Sequence, residues 1–264
     1  MSEPILKAQD LVFGYEANAT ILNDLSVTLP SQKITALVGP NGCGKSTLLS
    51  LLAGIETAQS GNIHLKGQEM SSYTSKERAI ILGLLPQAPE VTPGVLVSEL
   101  LALGRVPHRT FFEPWRAEDQ TALEEAAKAA GVDQMLGRPV EQLSGGQRQR
   151  AFIAMALTQA PEVLLLDEPT SSLDIAQQFA ILNLLRERVR SHGLTAVVAI
   201  HDIAQAGQFA DHIVVMKAGK VHDQGSPEEI VTAQLFKEVF DVTVRVLVDE
   251  ETGHRSTVPT WISE

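Results

Sequence analysis

Positive charge is what this sequence is short of. Lys and Arg number 21 against 32 Asp and Glu, a net charge of −11 over 264 residues. An acidic surface repels phosphate backbones, so non-specific attraction to nucleic acid is not expected. Aromatic residues make up 5% of the chain, with two Trp and two Tyr, which leaves no row of rings on which bases could stack. The single cysteine, Cys43, excludes an internal disulfide and fits a reducing compartment. No run free of Asp, Glu, Lys and Arg approaches the roughly 20 residues of a membrane-spanning helix. The first residues, MSEPILKAQD, lack the basic start, apolar run and cleavage site of a secretory signal, so a cytoplasmic location is expected. Repeats with a period of roughly 20 to 50 residues are missing too, so one functional unit is expected per chain.

What is present is 44% hydrophobic residues and a mean hydropathy of +0.04, enough for one substantial core or two small subdomains. Short strands are predicted at Ile5 to Val12, Leu25 to Leu29 and Ile34 to Val38, and a helix from Lys45 to Gly54 with its leucines on a buried side. Apolar strands at Val163 to Leu166 and Thr195 to Ile200 flank a helical pattern from Ile175 to Arg190, the order that builds a parallel sheet. Later strands are expected at Ile213 to Met216, Lys220 to His222, Val242 to Val248 and Arg255 to Val258, with Pro227 to Val239 helical. Residues 88–160, rich in helix formers such as Leu123 to Ala130, read as a helical subdomain inserted into a nucleotide-binding core made of 1–87 and 161–264. The tail after residue 225 is short for an added regulatory domain.

Gly39-Pro40-Asn41-Gly42-Cys43-Gly44-Lys45-Ser46 fits G-x-x-x-x-G-K-[ST], and it lies between a buried strand and a helix, as that motif requires. Glycines let backbone N–H groups wrap an anion, and the helix that follows turns its positive end toward it. Lys45 is expected to neutralise the β and γ phosphates and the Ser46 hydroxyl to hold Mg²⁺. Cys43 fills an unconstrained position of the loop and reads as a passive small residue.

Val163 to Glu168 is a buried strand ending in two carboxylates, at the edge where open α/β sheets bind ligands. Alternation along the strand separates the two acids. Asp167 is assigned to Mg²⁺ and Glu168 to the attacking water as general base; a turn or helix cap near Pro169 is the alternative. His201 follows Thr195 to Ile200 in the same way and is assigned to the γ-phosphate. Histidines 64, 108, 192, 212, 222 and 254 have no such context and are assigned no chemistry. Leu143-Ser144-Gly145-Gly146-Gln147 precedes a helical run from Arg148 to Thr158, a second anion site at a helix start, with a plain N-cap as the alternative. Two phosphate-binding devices in one chain suggest a head-to-tail arrangement in which this loop of one copy covers the nucleotide of another.

With these motifs the chain resembles, over nearly its whole length, the ATP-binding subunit of ABC transporters. The resemblance implies an ABC-type P-loop NTPase fold of the α/β class, with an N-terminal β subdomain and the inserted α-helical one, working on ATP and Mg²⁺. Tyr15, after Phe13-Gly14, resembles the aromatic that stacks on adenine, and residues 39 to 47, through Thr47, resemble the Walker A loop. Gln87, after a strand expected from Ile80 to Leu85, resembles the Q-loop glutamine that touches Mg²⁺ and communicates with the membrane partner. Residues 143 to 147 resemble the signature loop, Asp167 and Glu168 the Walker B pair, Ser171-Ser172-Leu173-Asp174 the D-loop, and His201 the switch histidine. The implied cycle has two subunits closing on two ATP molecules and reopening after hydrolysis, with the motion passed to integral membrane permease subunits.

Leu101 to Arg109, with Gly104-Arg105 and Pro107-His108, and the stretch around Gln224 to Pro227 resemble importers of ferric siderophores, haem and cobalamin. That resemblance implies a peripheral protein on the cytoplasmic side of the inner membrane, served indirectly by a periplasmic or surface solute-binding protein. Phe111, Phe112 and Trp115 are expected to anchor in a partner groove, unless that loop packs locally. A soluble ABC ATPase acting on ribosomes or nucleic acid is the rival reading. A single cassette, the absence of heptads and the acidic charge speak against it.

Overall fold

Residues 4–15, 20–110, 113–171, 173–251, 253 and 255–260 are described by the computed structural model. The chain opens with β1 (Pro4–Phe13), β2 (Leu22–Pro30) and β3 (Ile34–Val38), then α1 (Lys45–Leu52), β4 (Ser60–Leu65) and β5 (Gln68–Glu69). The middle stretch holds α2 (Ser75–Ile81), β6 (Leu82–Leu85), α3 (Val97–Leu103), α4 (Ala117–Ala129), α5 (Gly145–Thr158), β7 (Val163–Asp167) and α6 (Ile175–His192). The last stretch holds β8 (Thr195–Ala199), α7 (Ile203–Phe209), β9 (His212–Lys217), β10 (Lys220–Gly225), α8 (Pro227–Ile230), α9 (Ala233–Phe240), β11 (Val244–Val248) and β12 (Arg255–Pro259). By packing, the chain divides into one unit made of 1–72 and 195–264 and a second made of 73–194.

In the first unit β1 pairs antiparallel with both β2 and β4. Leu25, Val27 and Leu29 point inward along β2 while Ser26 and Thr28 face out, the alternation of a sheet wetted on one side. The other sheet of this unit is built differently. β3 runs parallel to β8 and to β9, and β10 is antiparallel to β9. Every residue of β3 and β8 is buried, which is why both read as unbroken apolar runs. Helix α1 buries Leu48, Leu49, Leu51 and Leu52, each worth about 1.5–3 kcal/mol relative to exposure. It stops where Gly54 takes φ 69, a conformation that favours glycine.

In the second unit β6 and β7 are parallel, and α5 packs on both α3 and α4. Its interior holds an ion pair. Arg105 Nε donates to Asp119 Oδ1 at 2.9 Å, and Arg105 Nη1 to the Thr158 carbonyl at 3.2 Å.

Several elements differ from the sequence expectation. The strand expected from Ile80 begins only at Leu82, because Thr74 and Glu77 form a capping box that starts α2 and carries it to Ile81. The helix expected over Pro227 to Val239 is two helices: Ser226 caps the first and Thr232 the second. The helix expected from Arg148 starts three residues earlier, at Gly145. β11 begins at Val244 rather than Val242, since α9 ends on Asp241 with φ 56. The stretch Leu101 to Arg109 packs locally at two of its residues: Arg105 is 8% exposed, and His108 Nε2 lies 2.7 Å from the Gln159 carbonyl. Leu103 and Val106 of the same stretch are exposed. Phe111, Phe112 and His254 lie outside the described residues, as do Ser172 and residues 261–264.

Candidate active site

The phosphate loop leaves β3 at Gly39. A Cβ there would come within 2.2 Å of the Met216 carbonyl on β9, so the close approach of those backbones requires glycine. Gly44, at φ 102, turns the chain into α1 and leaves its first N–H groups with no side-chain cap, the state in which a helix start receives an anion. The Lys45 ammonium donates to the carbonyls of Gly39 at 2.9 Å and Pro40 at 3.3 Å. With 6% exposure, it is held over the loop rather than extended into solvent. Ser46 is exposed on the first turn, whereas Thr47 is buried and faces the core. Cys43 is buried with Sγ 4.0 Å from Lys45 Nζ; burial pushes its thiol up, against the opposing pull of the lysine charge.

His201 belongs to the same sheet edge. Leu37 of β3 pairs in register with Ala199 of β8, and the Ile200 N–H donates to the Leu37 carbonyl at 3.0 Å. The histidine therefore leaves its strand beside the strand that feeds the phosphate loop, with its own side chain exposed. Asp202, next to it, is a helix cap whose Oδ1 accepts from Ala204 and Gln205. Tyr15 is 62% exposed and stands edge-on to Phe13, ring centroids 5.0 Å apart, which presents a free aromatic face.

The second unit carries the carboxylates. Every residue of β7 is buried, through Asp167. Glu168, 9% exposed, sits at φ 51, a left-handed conformation costly for a residue with a Cβ. Ser171 holds this turn by donating to the Glu168 carbonyl from its N–H at 3.1 Å and its Oγ at 2.9 Å. Leu85 and Leu166 pair in register, so β6 and β7 end on one edge. Gln87 follows β6 there, and its Nε2 donates to Glu168 Oε2 at 2.6 Å. That contact was not among the roles expected for Gln87; neighbouring strands ending together are the signal that could have found it.

Ser144 is the N-cap of α5. Its Oγ accepts from the Gln147 N–H at 3.4 Å, while Gln147 Oε1 accepts from the Ser144 N–H at 3.1 Å. The capping box and an exposed Gly145 occur together, so the cap alternative is true of the geometry without removing the exposed helix start. Asp174 caps α6, with Oδ1 accepting from the Gln177 N–H at 2.8 Å. Gln178, which sequence reasoning missed, ties the loop between the two acids and that cap. Its Nε2 donates to the carbonyls of Leu173 at 3.1 Å and Thr170 at 3.4 Å.

Ser46 in the first unit carries a hydroxyl, and Asp167 and Gln87 in the second a nine-tenths buried carboxylate and a carboxamide oxygen, each a hard oxygen donor of the kind Mg²⁺ takes.

A glycine cradle on a strand-to-helix turn, with paired carboxylates ending another parallel strand, defines a nucleotide-hydrolysing P-loop protein of α/β class. Comparison with known proteins makes this particular. The model of the ABC transporter family matches residues 22–171, and the chain belongs to that family as an ATP-binding, ATP-hydrolysing cassette. It is 41% identical over 254 residues to the ferric enterobactin transport ATP-binding protein of Escherichia coli K12, covering 96% of this chain and 93% of that one. A metal-chelate type ABC transporter solved in an inward-facing conformation superposes with a TM-score of 0.84 at 28% identity, over 98% of this chain and 99% of that one. A dimeric bacterial ABC transporter cassette superposes with a TM-score of 0.75 at 25% identity, over 84% of this chain and 98% of that one.

Proposed function

We propose that this chain is the ATP-hydrolysing subunit of an ABC importer for a ferric siderophore or a related iron, haem or cobalamin chelate. The observation that carries the reading is the end-to-end match, at 41% identity over 96% of the chain, to a ferric enterobactin transport subunit.

In this reading Tyr15 stacks on adenine, and the amides of residues 39–47 with Lys45 hold the phosphates. Ser46, Asp167 and Gln87 would hold Mg²⁺, which would neutralise phosphate charge and orient the γ-phosphoryl group. Glu168 takes a proton from the attacking water, a role worth roughly 10² to 10⁴ in rate. The 2.6 Å bond from Gln87 orients its carboxylate, so a movement of the loop carrying Gln87 would disturb the base. His201 donates to the γ-phosphate. Two copies close head to tail, and Ser144, Gly145, Gly146 and Gln147 of one cover the ATP of the other, so that charge stabilisation is assembled only on closure. Asp174, as the cap of α6, fixes the D-loop at that junction. The permease docks on the stretch that exposes Leu103, Val106 and Trp115, with the tryptophan of a type enriched at interfaces. In this reading the chain works at the cytoplasmic face of the membrane, served indirectly by a solute-binding protein.

The test is purification of the tagged chain from native membranes in mild detergent, with mass spectrometry of what accompanies it. A polytopic permease at stoichiometric level is the expected result. Ribosomes, or soluble protein alone, would sink the transporter reading.

A further inference from the structure

Helix α6 starts from the loop that leaves Glu168, and its first turn reaches the signature loop of the same unit. Gln177, half-buried in that turn, lays its carboxamide against Gly146. A Cβ built on Gly146 would come 2.1 Å from Gln177 Oε1, 2.4 Å from Cδ and 2.8 Å from Nε2. The carboxamide thus fills the notch that the missing side chain leaves. The contact is particular to that glycine, since a Cβ on Gly145 would meet nothing within 4 Å. Among the described residues the Gln177 carboxamide makes no hydrogen bond, while its backbone N–H is held by Asp174. Its placement therefore comes from the helix that carries it. That helix is anchored by the Asp174 cap and by the Gln178 bonds to Thr170 and Leu173.

We propose that Gln177 is a positioning residue for the signature loop. Pressed on Gly146, it holds the N–H groups of residues 145 and 146 in the orientation that grips the ATP of a second copy. It acts through Gly146 and serves the partner's nucleotide, leaving the phosphate loop of its own chain untouched. The role rests on the head-to-tail reading given above.

The experiment uses the Glu168→Gln form, in which ATP-driven dimerisation can be followed by sedimentation without turnover. Binding of a fluorescent ATP analogue to the dilute monomer is measured beside it. Gln177→Ala is expected to leave monomer affinity within about twofold and to weaken dimerisation about tenfold, the scale of a lost packed contact. Gln177→Glu keeps the shape but sets a carboxylate beside amides that receive phosphate. It is expected to weaken dimerisation more than alanine does, with the excess shrinking as salt rises. Equal dimerisation in parent and both variants overturns the role, as does a parallel loss of monomer affinity, which would mark general disruption. A parent form that stays monomeric with ATP overturns the head-to-tail reading and this role with it.

Discussion

At the scale of single residues, Glu168 is the side chain on which most depends. It is buried, sits in a left-handed conformation and is oriented by Gln87. Glu168→Gln keeps its size and removes the basic oxygen, so turnover should fall by about 10² or more. ATP affinity should persist, and gel filtration with ATP should show a stable dimer; unchanged turnover would reassign the base. Cys43 gives a second prediction. Burial raises its thiol, so the thiolate is scarce at neutral pH and alkylation should be slow, speeding up as pH rises. The modified loop should no longer bind ATP, and bound ATP should protect the thiol. Labelled fraction by mass spectrometry against residual binding measures both, and full binding after stoichiometric labelling would disprove the block.

At the scale of elements, the Arg105–Asp119 pair joins α3's end to α4 inside the second unit. Burial pushes the Asp119 carboxyl up, but the Arg105 and Arg116 hydrogen bonds and the charges of Arg105 and Arg109 outweigh it and hold the group below the usual carboxylate range. A lowered carboxyl gives stability that is present above the unfolded value, near pH 4, and lost as pH falls through the folded value. Asp119→Asn should cost about 3 kcal/mol by leaving a buried guanidinium without its counter-ion. Urea unfolding at pH 7 and at pH 3 measures this, with the gap between variant and parent closing at the lower pH.

The same elements show what a sequence carries. The phosphate loop was legible because its residues are consecutive and its chemistry demands those types. β3 and β8 were legible because strands buried on both faces are apolar throughout. Arg105 was harder to place. Its partners, Asp119 and the Thr158 carbonyl, are distant in the chain, and an arginine in a loop gives no sign of which way it turns. The Gln87 contact with Glu168 spans 81 positions and depends on two strands ending together. The start of α2 could have been read, since Thr74-Ser-Lys-Glu77 has the capping-box spacing; the apolar residues from Ile80 onward masked it.

At the scale of the whole molecule, charge decides where the chain can go unaided. With a net charge of −11 it has no electrostatic reason to adhere to anionic lipid. Among the described residues no helix is long and apolar enough to cross a membrane. Mixed alone with vesicles rich in anionic lipid, it should stay in the supernatant on sedimentation; a pelleted fraction without permease would mean that the chain has a lipid-binding face of its own.

The first unit is drawn from both ends of the chain, the second from one continuous stretch. β3, which feeds the phosphate loop, takes both its parallel neighbours from residues beyond 194. During synthesis, at about 5–20 residues per second, the loop at residue 39 waits until β9 has left the ribosome before Met216 can close against it. A nascent chain halted before that point has the whole nucleotide motif in its sequence and no cradle in which to use it. The loop therefore cannot take up ATP until the strand that carries Met216 has been made.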